Sequence, residues 1–188
     1  MNVATIYGGP RLDGNTATVL GWVEDAIRAG GHSVARFNAN EMNIRGCQGC
    51  YACAQSTEKP GCIVEDDMRR VVTAMVDADA IVFASPLYMW GVSGQLKQVL
   101  DRGMCLVKDY MGPSYASFVD GKRAMLLMTC MGPVEGNADW ARDQFSQYAE
   151  YMKLDLIEAW IVPGCWTPDR LGDEVRAKAA KLALRLAG

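Results

Sequence analysis

Hydrophobic positions along this chain keep two rhythms: short unbroken apolar runs alternate with longer stretches in which apolar residues return every three or four positions. The runs Ile81-Val82-Phe83-Ala84 and Ala124-Met125-Leu126-Leu127-Met128 contain no polar position, the pattern of strands buried on both faces of a parallel sheet. Residues 2–7, carrying Val3, Thr5 and Ile6, read as a strand stopped by Gly8-Gly9-Pro10. Residues 33–37 and 156–162 read as two more. Val19, Leu20, Val23, Ala26 and Ile27 recur at helical spacing in a helix that Asn15 or Thr16 can cap and Gly30-Gly31 ends. The same spacing predicts helices over 66–76, 94–102, 140–152 and 173–186.

Five β/α units follow, and strands alternating with helices favour a doubly wound three-layer α/β sandwich, because each crossover helix must cover one sheet face. No repeat, low-complexity stretch or polar linker divides the chain, so one domain is expected over 1–188, with a cysteine-rich loop at 46–62 as its main irregularity.

Composition adds exclusions. With 50% hydrophobic and 22% charged residues, the chain of 188 residues has the balance of a globular protein with a full core. A net charge of -3 gives no electrostatic reason to expect nucleic acid or an anionic membrane as a partner. Met1 to Ile6 lacks the basic flank and apolar stretch of a signal peptide, and no apolar run reaches membrane-spanning length. The seven cysteines accompany a large core, which points to a reducing compartment; a cytoplasmic location is expected.

Three loops carry candidate chemistry, each following a predicted strand at what should be one sheet edge. The first, Gly8-Gly9-Pro10-Arg11-Leu12-Asp13-Gly14-Asn15-Thr16-Ala17, lies between a strand and a helix N-terminus, where backbone N–H groups and the helix dipole converge on an anion. Arg11 can complement the charge, and Asn15 and Thr16 can donate. The alternative is a plain Gly-Pro turn with an Asn-Thr cap. Neither G-x-x-x-x-G-K-[ST] nor G-x-G-x-x-G is present, so a mononucleotide fits better than a nucleoside triphosphate or dinucleotide. The second loop, Ser85-Pro86-Leu87-Tyr88-Met89-Trp90-Gly91, offers aromatic and thioether surface to a flat heterocycle, or else forms a hydrophobic plug or subunit contact. The third runs from Thr129 through Gly132 to Asn137.

Gly9-Pro10-Arg11-Leu12-Asp13-Gly14-Asn15-Thr16 resembles the phosphate loop of the NADPH-dependent FMN reductase family, usually S-P-R-x-x-G-N-T, and Ser85-Pro86-Leu87-Tyr88 resembles its isoalloxazine loop. The sequence departs at Gly9, where the family often has Ser. The resemblance implies a flavodoxin-like fold with sheet order 2-1-3-4-5 and FMN at the strand C-termini. It further implies a homodimer or homotetramer. By this likeness Gly9, Pro10, Arg11, Asn15, Thr16 and Ala17 would bind the phosphate. Pro86, Leu87, Tyr88, Met89, Trp90 and Gly91, with Thr129 and Gly132, would hold the ring.

Cys47-x2-Cys50-x2-Cys53-x8-Cys62 places four thiols within sixteen residues. Spacing alone admits an iron-sulfur cluster, unligated or redox-active thiols, zinc or a disulfide. The run resembles the iron-sulfur flavoprotein branch of the same family, in which four cysteines ahead of Asp-Asp-Met hold a four-iron four-sulfur cluster. That likeness falls on Cys47, Cys50, Cys53 and Cys62, and the loop is expected near a flavin edge or an oligomer contact. Cys105, Cys130 and Cys165 are isolated in sequence and read as small core residues. The acids from Glu65 to Asp67 read as capping a helix, Asp101-Arg102 as a solvated helix end, and the single histidine, His32, as a turn residue.

The expected activity is that of an FMN-dependent oxidoreductase. It would take electrons from NAD(P)H and pass them to a quinone, flavin, or other small-molecule or protein acceptor, with no side-chain acid or base required. The rivals are a non-catalytic electron-transfer flavoprotein and a cysteine-based metal or redox-sensing module.

Overall fold

The computed structural model describes residues 1–55 and 58–188. Its five long strands are β1 (Asn2–Tyr7), β2 (Ser33–Asn38), β3 (Ala80–Tyr88), β4 (Arg123–Thr129) and β5 (Asp155–Val162). The five α-helices are α1 (Asn15–Ala29), α2 (Met68–Asp77), α3 (Gly94–Arg102), α4 (Asp139–Tyr151) and α5 (Asp173–Ala187). The strands pair in parallel in the order 2-1-3-4-5, the flavodoxin-like topology. Residues 91–92 turn back antiparallel on β3, and Val107–Lys108 pairs with Ala116–Ser117 in a small ribbon.

The unbroken apolar runs are explained by the two cores. Ile81 and Phe83 of β3, with Ala124, Leu126 and Met128 of β4, face the layer built by α2, α3 and α4. Val82 and Ala84, with Met125 and Leu127, face α1 and α5. Every side chain on these two strands' central segments is therefore removed from water. Strand β3 runs four residues beyond its apolar stretch, because Ser85 and Pro86 continue the ladder against Met128 and Thr129. The segment expected as a loop from Ser85 thus stays in the sheet to Tyr88.

Arg102 is not solvated. Asp101, the penultimate residue of α3, makes an exposed pair with Lys97, but the next residue turns inward. Arg102 and Asp66 have side-chain exposures of 2% and 0%, and the guanidinium forks onto the carboxylate, with Nη1 to Oδ2 at 2.8 Å and Nη2 to Oδ1 at 3.2 Å. Nη1 also donates to the Arg45 carbonyl at 2.9 Å and Nη2 to that of Val64 at 3.4 Å. Asp66 does serve the start of α2, accepting from the Met68 N–H at 3.1 Å, and it accepts from the Arg45 N–H at 3.0 Å as well. One buried pair therefore ties both ends of the cysteine-rich loop to α2 and α3.

Burial alone would push the Asp66 carboxyl up, but hydrogen bonds from Arg102 and from the Arg45 and Met68 N–H groups hold it below the usual range. A carboxyl lowered in the folded state contributes stability that is complete above its unfolded value, about 3.9, and is lost as pH falls through the lowered folded value. Removing one partner of a buried pair strands the other charge, at a cost of about 3–5 kcal/mol. Urea unfolding at neutral pH should accordingly show Arg102→Met destabilised by that order. Asp66→Asn, also weaker at neutral pH, should lose less of its remaining stability than wild type as pH falls below about 4. Parallel acid profiles for the two proteins would contradict this account of the pair.

Candidate functional site: the carboxyl edge of the sheet

The order 2-1-3 makes β1 and β3 neighbours while their connections leave in opposite directions, so a crevice opens between their carboxyl ends. The Gly8 N–H donates to the Ala84 carbonyl at 2.8 Å and carries β1's pairing one residue past the strand. The Ser93 hydroxyl donates to the Gly8 carbonyl at 2.6 Å and accepts from the Leu96 N–H at 3.3 Å, capping α3 and fastening it to the first loop. A Cβ at Gly8 would collide with Leu96 and Ser93.

Gly9 has a different constraint. The Tyr7 ring folds back across the loop, its hydroxyl bonded to the Arg11 carbonyl, and any Cβ at Gly9 would overlap that hydroxyl. At this position, where the related motif has serine, the space a serine side chain would need is filled by the Tyr7 ring. Arg36 lies over the other face of the ring, 4.9 Å from its centroid. Burial raises the Tyr7 phenol above its usual range, with Arg36 opposing.

Helix α1 begins at Asn15 with no side-chain cap and no acidic residue in its first turn. Its first N–H groups are thus free to meet an anion. Asn15 is buried and its Oδ1 has no hydrogen-bond partner among the described residues. The two ends of an amide are interchangeable in placement, so the same position can present N–H donors. Thr16 and Thr129, both buried, join hydroxyls at 2.6 Å and link the first loop to the end of β4.

These groups surround a cavity of about 200 Å³. Of the residues expected at the site, Pro10, Arg11, Asn15, Thr16, Pro86, Leu87, Tyr88 and Thr129 line it. Six do not. Gly9 lies behind Tyr7, Ala17 is in the α1 core, and Gly132 and Gly91 stand off the wall. Met89 and Trp90 form a two-residue turn, both in the left-handed region at φ 47° and 62°, with exposures of 83% and 51%. Such turns normally use Asn-Gly, and bulky residues there are strained. The wall also includes Gly14, Cys130 and Met131, which lie within the first and third candidate loops, and Tyr7, Cys165 and Trp166, which the sequence pattern does not assign to the site. The rule that located the other loops, applied to the end of β5, would have found Cys165 and Trp166. Arg11 is the only ionised side chain among the described lining residues.

The cysteine loop forms a second cavity, of about 430 Å³, lined by Cys47, Cys50, Cys53 and Cys62 together with Arg102 and Cys105. Cys105 is therefore not isolated in space, although it is a buried core residue as expected. Burial first, and the Cys62 and Cys53 thiols next, push its own thiol up to about 12. Cys53 is raised by burial and then by Cys62. Among the described residues, no three His, Cys, Asp or Glu side chains close on a single metal position. The two cavities have no described lining residue in common, so within one chain the cysteines do not border the first cavity. Helix α3 runs between them: Ser93 caps it beside Gly8 and Arg102 ends it at the cysteines, a span of about 13.5 Å at ~1.5 Å per residue.

Comparison with known proteins bears on both cavities. An iron-sulfur flavoprotein of Methanocaldococcus jannaschii is 34% identical over 102 residues, covering 54% of this chain and 51% of that protein. An iron-sulfur flavoprotein of Archaeoglobus fulgidus is 28% identical over an alignment covering 100% of this chain and 79% of its own length. The chain spans about half the length of most of the curated relatives it matches. Among solved structures, the NAD(P)H:quinone oxidoreductase of Methanothermobacter marburgensis superposes with a TM-score of 0.74 at 17% identity, covering 100% of this chain and 97% of that one. An FMN-dependent NADH-azoreductase of Bacillus anthracis in complex with FMN gives 0.72 at 13% identity, with both chains fully covered. At those identities the likeness establishes the fold. The family model for NADPH-dependent FMN reductases matches residues 1–167, and the chain belongs to that family.

Proposed function

We propose that this chain is an FMN-dependent oxidoreductase that takes electrons from NAD(P)H and passes them to a quinone, flavin, or other small-molecule or protein acceptor. The observation that carries the reading is the buried end of the Asn15 amide, unpartnered among the described residues, at a helix N-terminus with no side-chain cap and no acidic residue in its first turn. A buried polar group left unpaired costs about 1–3 kcal/mol; with the amide turned over, the same buried position presents an N–H, and a bound phosphate would accept from it. The first-turn N–H groups, Asn15, Thr16 and Arg11 would hold the phosphate, while Pro86, Leu87, Tyr88 and Thr129 would support the ring. Bound FMN would supply the two-electron chemistry; the protein's part is to place it, shield it and leave one face open. Exposed Tyr88, Met131 and Trp166 at the rim offer a flat apolar bed for a nicotinamide or aromatic acceptor.

The same reading takes residues 1–188 as one FMN-binding domain that assembles as a homodimer or homotetramer, with Met89 and Trp90 covered in the assembly. It also assigns a four-iron four-sulfur cluster to Cys47, Cys50, Cys53 and Cys62. A cluster takes one thiolate at each iron, so its cysteines stand apart around a cavity rather than converging as they do on a single ion. Four thiols spread around the second cavity suit the first arrangement.

Two outcomes are expected. Asn15→Ala combined with Thr16→Ala removes two donors to a charged phosphate, each worth about 1.5–3 kcal/mol, and should weaken FMN binding at least ~100-fold by fluorescence titration. Unchanged affinity would show the phosphate to lie elsewhere. Gly9→Ser should lower FMN affinity because the Tyr7 ring must move, and adding Tyr7→Leu should restore it; a double variant no better than Gly9→Ser would break the steric link between the two residues.

A further inference from the structure

Arginine presents five N–H groups in a rigid planar fork. Four of those on Arg102 are accounted for by Nη1 and Nη2, which reach the two Asp66 oxygens and the carbonyls of Arg45 and Val64. The fifth, on Nε, is buried and has no partner among the described residues. Arg102 lines the cysteine cavity, with the Cys62 thiol as its neighbour there. Two carbonyls and a bidentate carboxylate fix the guanidinium plane, so the Nε–H direction is set by the fold and cannot be relaxed by rotation. Burial works against the arginine's charge, but the hydrogen bonds to the Asp66 carboxylate more than offset it.

We propose that Arg102 is a positioning residue of the cysteine site, its Nε–H donating to the Cys62 sulfur when that sulfur holds an iron-sulfur cluster. The inference rests on the cluster reading above and goes beyond it by assigning a residue outside the four ligands. Hydrogen bonds to the ligand sulfurs and the local net charge set a cluster's reduction potential, and each donor favours the reduced, more negative state. Asp66 then acts through Arg102. It holds the fork in place and partly neutralises its charge, so that the directional N–H bond is the larger contribution. This also accounts for a charged residue kept at the buried end of α3, where a helix of this length could have ended in solvent beside Asp101.

The test uses full-length protein purified anaerobically and reconstituted with iron and sulfide. Arg102→Lys keeps a cation for Asp66 but has no Nε–H. It should retain iron, sulfide and FMN, while the cluster's midpoint potential falls by the equivalent of a tenfold loss in the reduced-to-oxidised ratio, ~59 mV for a one-electron couple. An unchanged potential in an iron-loaded variant would overturn the role given to Arg102. Because the substitution disturbs a buried pair, a second measurement is made on wild type carrying 15N-arginine. Pulsed electron-nuclear resonance of the reduced cluster should show an arginine nitrogen coupling, and this alone decides the matter if the variant does not load. No nitrogen coupling in iron-loaded wild type overturns the Arg102 inference and leaves the cluster reading standing. Wild type with neither iron nor sulfide after reconstitution overturns both.

Discussion

The side-by-side parallel pairing of β1 and β3 is the constraint on which the other features depend. Their register, extended by the Gly8 N–H to the Ala84 carbonyl, brings the first loop and the end of β3 together at one edge. Both faces of the sheet are covered, and the carboxyl edge is where side chains of β1, β3 and β4 meet those of the segment that follows β5. Close approach is then limited by volume. Leu96 and Ser93 crowd Gly8, Tyr7 crowds Gly9, and the loop backbone has little freedom before α1 begins.

Helix α3 joins the two cavities mechanically. Its first turn is pinned by Ser93, which bonds to Gly8 and accepts from Leu96, and its last residue is Arg102, pinned to Asp66 and to the Arg45 and Val64 carbonyls that flank the cysteine loop. Leu96 and Val99 bury its inner face in the core. The helix is therefore held at both ends by polar contacts and along its length by packing. The geometry of the cysteine loop depends on the same helix that supports the first loop.

Much of this was legible in the chain. Strands covered on both faces leave unbroken apolar runs, and β3 and β4 were visible for that reason. The bounds of α3 were readable at 94–102 because Leu96, Val99 and Leu100, which it buries, recur at helical spacing. The end of β3 was not, since Pro86 resembles a strand terminator and only its register against Thr129 keeps it in the sheet. Arg102 was misread because a basic residue at a helix end is ordinarily solvated; its partner lies 36 positions away and only the folded loop brings Asp66 to it. Cys105 was separated from the cysteine run by sequence alone, and the space filled by Tyr7 over Gly9 depends on a rotamer that no motif records.

The central claim is that the start of α1 is a phosphate cradle, and it can be tested by comparing two ligands that differ only there. Titration of the apoprotein with FMN and with riboflavin, followed by flavin fluorescence, isolates the contribution of the phosphate. The account predicts FMN binding at least ~100-fold tighter than riboflavin, the equivalent of about two charge-assisted hydrogen bonds. Equal affinities would contradict it.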